Sequence, residues 1–318
     1  MKTLHKAADL LGPSFVLLWS SGYVVGSVAT REIAPLTVTL WRFVVSSAVL
    51  TLLAWWRRER WPGTPRDLAI TIGTGIVAFA IQFCALYQAL ADGTPAATTA
   101  LFACSSPLLV AVAGAALGWD RLSGRQWLGV VLGVTGVVVT VSDRLGRPPS
   151  LVALGWVLLG TGGLAGGSLL QGRLIGRGGP TALTAVQVAA GAVVVAVWAP
   201  FAGSLAIPAK ESAWVSFTWL ALVAGVVGPL MLLALIARHG PARGTSLLFM
   251  VPAVTALIAW VLVGEPVGEV AVLGLGIAGS GLWLGRRRTP TPVVTPARAP
   301  VVTAVGATAP AELRGRWN

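Results

Sequence analysis

At 318 residues, 55% of them hydrophobic and only 11% charged, with a mean hydropathy of +0.81, the chain is too apolar for a soluble globular domain, which carries about 25% charged residues. Its apolar residues fall in blocks of roughly 18 to 24, each long enough to cross a hydrocarbon core about 30 Å thick at 1.5 Å per helical residue, so a soluble catalytic domain has no place to sit. The net charge of +12 would raise the question of nucleic acid in a soluble chain. Here membrane topology accounts for it, so the expected partners are the lipid bilayer and a small-molecule substrate, with no nucleic acid.

The pattern predicts an all-α polytopic membrane protein whose spans run over 11–29, 36–56, 68–90, 96–117, 126–142, 151–172, 181–201, 213–236, 244–263 and 268–285. The first follows Lys2 and Lys6 as a signal peptide would, yet no small-residue cleavage site follows cleanly and the block has a counterpart later in the chain. Within it Trp19, Tyr23 and Gly26 share one helix face, with Ser20 and Ser27 alongside. A mid-bilayer Trp beside a Tyr is either helix packing or the wall of a substrate cavity. The second span holds Arg42, the one cation clearly inside a span. Its long stem could snorkel to the nearby interface, or its head could face a cavity and pair with an anionic group such as a substrate carboxylate.

Farther along, the third span carries Phe79, Gln82 and Phe83 on one stripe, with Tyr87 and Gln88 nearer its end, and the fourth carries Thr98, Thr99, Ser105, Ser106 and Pro107. Cys84 and Cys104 lie inside these spans without metal-ligand spacing and read as small core residues. The sixth span is crowded with Gly160, Gly162, Gly163, Gly166 and Gly167, where small residues let helices approach closely and the backbone flex. Gly228 and Pro229 interrupt the eighth and Pro252 the ninth; with Pro107 these are the hinge candidates, because a mid-helix proline frees a carbonyl. Beyond Arg286, Arg287 and Arg288, the Pro-, Thr-, Ala- and Val-rich tail 289–318 reads as a disordered appendage.

Lys and Arg are retained on the cytoplasmic side during insertion. An amino terminus inside places Lys2, Lys6, Arg57, Arg58, Arg60, Arg66, Arg121, Arg125, Arg173, Arg177, Arg238, Arg243 and the tail arginines in the cytoplasm, against Arg31, Arg144, Arg147 and Lys210 outside. Both termini are therefore expected in the cytoplasm, in the cytoplasmic (inner) membrane. All the carboxylates fall at span ends, in loops or in the tails. Strong proton coupling through a buried acid is thus disfavoured. Asp120 and Glu265 suit capping of a turn and helix better than substrate binding. His5 and His239 lie at the surface, and no nucleophilic or metal-ligating constellation assembles in the membrane. Neither an enzyme nor a cofactor is expected.

An internal repeat holds at a constant offset of 145 residues: Pro35 pairs with Pro180, Arg42 with Gln187, Pro107 with Pro252, Asp120 with Glu265, Gly129 with Gly274 and Gly136 with Gly281. Each half contains five spans, so the second enters the membrane from the opposite side. The expected organisation is a cytoplasmic 1–10, a first five-helix repeat 11–145, a second 146–288 and the tail 289–318: ten transmembrane helices as two inverted five-helix repeats. Two such halves can rock against each other and expose a midplane site to either side in turn.

Two stretches carry a family resemblance. Thr98-Thr99-Ala100-Leu101-Phe102 through Pro107, then Gly118-Trp119-Asp120-Arg121-Leu122, resembles the first EamA-type module of the drug/metabolite transporter superfamily. Thr245-Ser246-Leu247-Leu248 through Pro252, then Gly264-Glu265-Pro266-Val267, resembles the second, although the first module has Trp119-Asp120 where Gly-Glu is commoner. The resemblance implies a transporter exporting amino acids or related small metabolites by alternating access. A nucleotide-sugar or phosphate-ester carrier is the alternative within transport, but it needs several cavity cations; a lipid scramblase or a non-transporting membrane subunit is the alternative outside it. The expected substrate site joins Trp19, Tyr23, Arg42, Gln82, Ser105 and Ser106 near the Pro107 kink.

Overall fold

A computed structural model describes residues 2–106, 108–110, 112, 123–142, 150–174, 176–202, 205–239 and 247–285. Among these residues the secondary structure is helical throughout. Six helices are long and apolar enough to cross a membrane: α1 (Lys2–Glu32), α2 (Pro35–Trp56), α3 (65–91), α6 (Leu151–Gln171), α7 (Pro180–Trp198) and α8 (211–239). Four apolar helices are shorter: α4 (Ala96–Cys104), α5 (Gly124–Ser142), α9 (Val251–Val263) and α10 (Glu269–Gly285). The protein is thus a polytopic membrane protein.

Local sequence sets the helix ends. Pro35, Pro65 and Pro180 stand in the first turns of α2, α3 and α7, where a missing N–H is harmless and φ is already helical. Thr64 caps α3 by accepting the Asp67 N–H at 3.1 Å, and Ser150 caps α6 by accepting that of Ala153 at 3.0 Å. At the other end of a helix, Gly264 takes φ +66° after α9, and the next N–H, that of Glu265, reaches back to the Ala259 carbonyl at 3.2 Å. This left-handed stop gives the Gly-Glu motif a structural reason at its glycine.

The helices bury one face, where alanines sit among Phe and Leu side chains, and leave large apolar residues on the other. Trp55 and Trp56 at the end of α2 are 72% and 74% exposed, as membrane-facing side chains are when no lipid is counted, while Ala54 beside them is fully buried. The interior seams lie between helices distant in sequence: α2 against α7, α1 against α9, α3 against α6, and α5 against α10. In the last of these, a methyl group on Gly136 would overlap the Ala278 backbone, one on Gly274 the Thr140 backbone, and one on Gly281 the Gly133 backbone. Glycine lets these two backbones touch, the way helices associate where lipid removes the hydrophobic incentive.

Two helices depart from α geometry, at corresponding places. In α3 the stretch Ile76–Ile81 is a π-helix, and in α8 so is Trp219–Val227, which spans the positions 145 residues later. Such bulges leave carbonyls for other donors. One is used: the buried Ser46 hydroxyl donates to the Ala221 carbonyl at 2.7 Å. The glycines of α6 find their use against the other bulge, since side chains at Gly163 and Gly167 would strike Val77, Gln82 and Ala78; Gly162, by contrast, faces open space. A second pair of breaks falls in α4, which ends in a turn at Ser105, and before α9, where the short 3-10 turn Leu247–Met250 leads into the α-helix; Ser105 and Met250 are 145 residues apart.

Candidate functional site

Arg42 lies seven residues inside α2, roughly 10 Å from its start at 1.5 Å per residue, and is only 6% exposed. Its side chain does not snorkel. The guanidinium lies over the Phe83 ring at 4.2 Å from the centroid, with Tyr87 at 5.6 Å and Phe43 at 6.0 Å, and one terminal nitrogen donates to the Tyr87 hydroxyl. The rings form a connected set: Phe43 meets Phe79 and Phe83 edge-on, Phe79 stacks on Phe83, and Phe83 meets Tyr87 edge-on. Ring faces attract the cation, but they do not neutralise it.

Among the described residues the two ion pairs are Arg177 with Asp67 and Lys210 with Glu32, and neither includes Arg42. Arg42 has no carboxylate partner among those residues, and its Nε, also buried, has no acceptor there. A buried guanidinium with one phenol and a wall of rings is a charge missing its counter-ion, an arrangement whose desolvation penalty favours an anionic ligand.

Around this centre the sequence-predicted residues divide. Tyr23 packs in the same cluster as Phe83 and Tyr87, and Gly26, one turn on, admits the Tyr87 ring at 3.2 Å from where a side chain would begin. Tyr23 also joins Trp19, Phe15, Cys104 and Val251 in a neighbouring cluster, so α1 links the Arg42 group to the broken ends of α4 and α9. Trp19 lies against Gly228, at the joint where the π stretch of α8 returns to α-helix and Pro229 follows. Ser105 closes the end of α4, its hydroxyl donating to the Phe102 carbonyl at 2.6 Å, and Ser106 is buried beside it.

Gln82 is buried too, but its backbone lies along Gly160 and Gly163 of α6, a different seam from that of Arg42. Pro252 stands in the first turn of α9 rather than in mid-helix, so the break there comes from the 3-10 turn before it. The nearest buried bond at that break is the Ser20 hydroxyl donating to the Val251 carbonyl at 3.2 Å. Pro107 and Asp120 lie outside the described residues. Tyr87, which the sequence placed near the end of the third span, is the residue that sequence reasoning left out of the site. Its only signal was a buried-type aromatic hydroxyl four residues from Phe83 on the same face, and nothing in the spacing pairs it with Arg42.

Gln187, the repeat counterpart of Arg42, is 1% exposed and forms a reciprocal amide pair with Gln171, at 2.9 and 3.2 Å. The model of the EamA-like transporter family matches this chain twice, over residues 6–142 and 151–285. The chain belongs to that family. This EamA-like transporter is 23% identical to a protein of Escherichia coli K12 named a probable amino-acid metabolite efflux pump, over 85% of this chain and 91% of the relative. It is 26% identical to a probable terminal-alkyne amino-acid exporter of Streptantibioticus cattleyicolor, over 86% and 93%. A solved crystal structure, 20% identical, superposes with a TM-score of 0.61 over 88% of this chain and 96% of its own, so the overall fold is shared.

Proposed function

We propose that this transporter exports amino acids or related small carboxylates across the cytoplasmic membrane, and that Arg42 holds the substrate carboxylate. The buried, carboxylate-free guanidinium carries the reading, and the printed names of the relatives agree with it. Tyr23, Tyr87 and Trp19 form the apolar and hydroxyl-bearing wall, Ser105 and Ser106 lie at its edge, and the breaks at Ser105, Gly228 and Met250 give the helices places to bend. Gln82 is kept as a site residue on the α3–α6 seam. A single central cation does not suit a phosphate ester, which calls for several. With no acid at mid-span, flux follows the substrate's own gradient.

The machine that moves the site is two five-helix repeats, 11–145 and 146–288, inverted with respect to each other as ten spans. The recurrence of the π stretches and helix breaks at the repeat offset supports this. So does the exchange of packing partners: α3 meets α6 and α7 where α8 meets α1 and α2, while the α2–α7 and α5–α10 seams map onto themselves.

Two measurements test the scheme. Cells expressing the chain should lose preloaded radiolabelled amino acids faster than cells without it, with little change when the proton gradient is collapsed; equal efflux across the whole panel sinks the substrate class. A periplasm-dependent reporter fused after Arg288 should be silent, because both termini face the cytoplasm. Activity there would exclude an even number of spans with the amino terminus inside.

A further inference from the structure

Both ends of the bundle carry a clasp between the two halves of the chain, and the clasps are built at the same repeat positions. At the end holding the α2–α3 connection, Arg177 pairs with Asp67, and the Gly179 N–H donates to the Arg60 carbonyl at 2.7 Å. At the opposite end Glu32 accepts from the Ser212 hydroxyl at 2.8 Å and faces the Lys210 ammonium at 3.8 Å, while the Trp41 indole N–H donates to the Leu205 carbonyl at 2.9 Å. The offset of 145 residues carries Glu32 to Arg177, Asp67 to Ser212 and Arg60 to Leu205. One contact has thus been built twice, once at each membrane face, from unlike side chains.

The two differ in strength. The Asp67 carboxylate is 14% exposed and also accepts from the Thr64 hydroxyl at 2.8 Å. Beside it, Glu59 accepts the Thr181 and Ala182 N–H groups at 2.8 and 3.0 Å at the start of α7, a second tie between the halves. The other clasp rests on a long pair whose lysine is 66% exposed, an arrangement that contributes little.

We propose that Asp67–Arg177 and Glu32–Lys210/Ser212 are the inner and outer latches of the transport cycle, and that the stronger inner latch keeps the cytoplasmic side closed while the outer side opens more readily. This rests on the ten-span reading given above, in which the arginine-rich end is cytoplasmic. In an alternating cycle each face can open only when the ties across it break, so removing one latch shifts the population toward opening on that side.

Cys104, buried beside Trp19 and Tyr23, is a native reporter of such opening. With Cys84→Ala to leave it as the single thiol, a membrane-impermeant maleimide is applied to inside-out and right-side-out vesicles. Asp67→Asn should raise the labelling rate of Cys104 from the cytoplasmic side about threefold, the shift that loss of a partly exposed ion pair supports. Glu32→Gln should raise labelling from the outer side by a smaller factor. Exchanging the charges, Asp67→Arg with Arg177→Asp, should return labelling to its starting rate. Loosening confined to the loops would leave this buried thiol untouched in every vesicle, and that outcome overturns the proposal; so does a rise from the same side in both variants. Sided labelling without amino-acid efflux would keep the latches and discard the substrate assignment instead.

Discussion

Replacing Arg42 by alanine is expected to lower amino-acid efflux at least tenfold while leaving the protein folded and as heat-stable as before. A charge-assisted hydrogen bond is worth about 1.5–3 kcal/mol, which corresponds to roughly ten- to hundredfold in affinity for a carboxylate. Stability should not fall with it, because the guanidinium is buried without a counter-ion and relief of its desolvation penalty offsets the ring contacts that are lost. Arg42→Lys should restore little, since an ammonium cannot spread over the Phe83 face and bond Tyr87 with the same fork. Tyr87→Phe should have a milder effect of a few-fold. Trp19→Ala and Gln82→Ala at matched expression should impair efflux more than Trp55→Ala or Trp283→Ala. A variant of Arg42 that transports normally but melts earlier would make the residue a packing element and empty the proposed site.

The second large effect is expected at the α5–α10 seam. Gly136→Val or Gly281→Val sets a branched side chain where even one methyl overlaps backbone on the facing helix, so the backbones must separate. Overpacking of this kind costs about 1–3 kcal/mol when neighbours can shift, and backbone is the least able to do so. The purified protein should lose its sharp thermal transition or melt well below the parent. Gly276→Ala and Gly279→Ala on the same helix provide the comparison, because nothing lies within 4 Å of either added methyl group. If all four variants melt alike, the close approach of these helices contributes nothing to stability.

Hydropathy made the helices legible, and with them the membrane class, because a lipid-facing helix must be apolar along a whole length. The glycines of α5 and α10 stood out as repeat partners, Gly129 with Gly274 and Gly136 with Gly281, and the structure adds the reason, contact between the two backbones. What the sequence did not disclose was pairing between distant side chains. Tyr87 is 45 residues from Arg42 and Gln171 is 16 from Gln187, with no periodicity joining either pair. The π stretches were equally hidden, since Ile76–Ile81 has the composition of any buried helix and its close contact with the glycines of α6 joins residues far apart in the chain. Pro252 misled in a different way: the residue type signals a break, but only the backbone before it reveals that the break is a helix start.

The seam between α5 and α10 also bears on how the chain is made. During synthesis the glycine face of α5 emerges well before its partner, and α2 likewise precedes α7 with four helices between them. Until Glu269–Gly285 follows, Gly136 lacks the Ala278 backbone on which it packs. Completion of the bundle therefore waits for the last helix to leave the ribosome, and a chain interrupted before residue 269 would present quality-control proteases with an unfinished surface, however well its earlier helices had inserted.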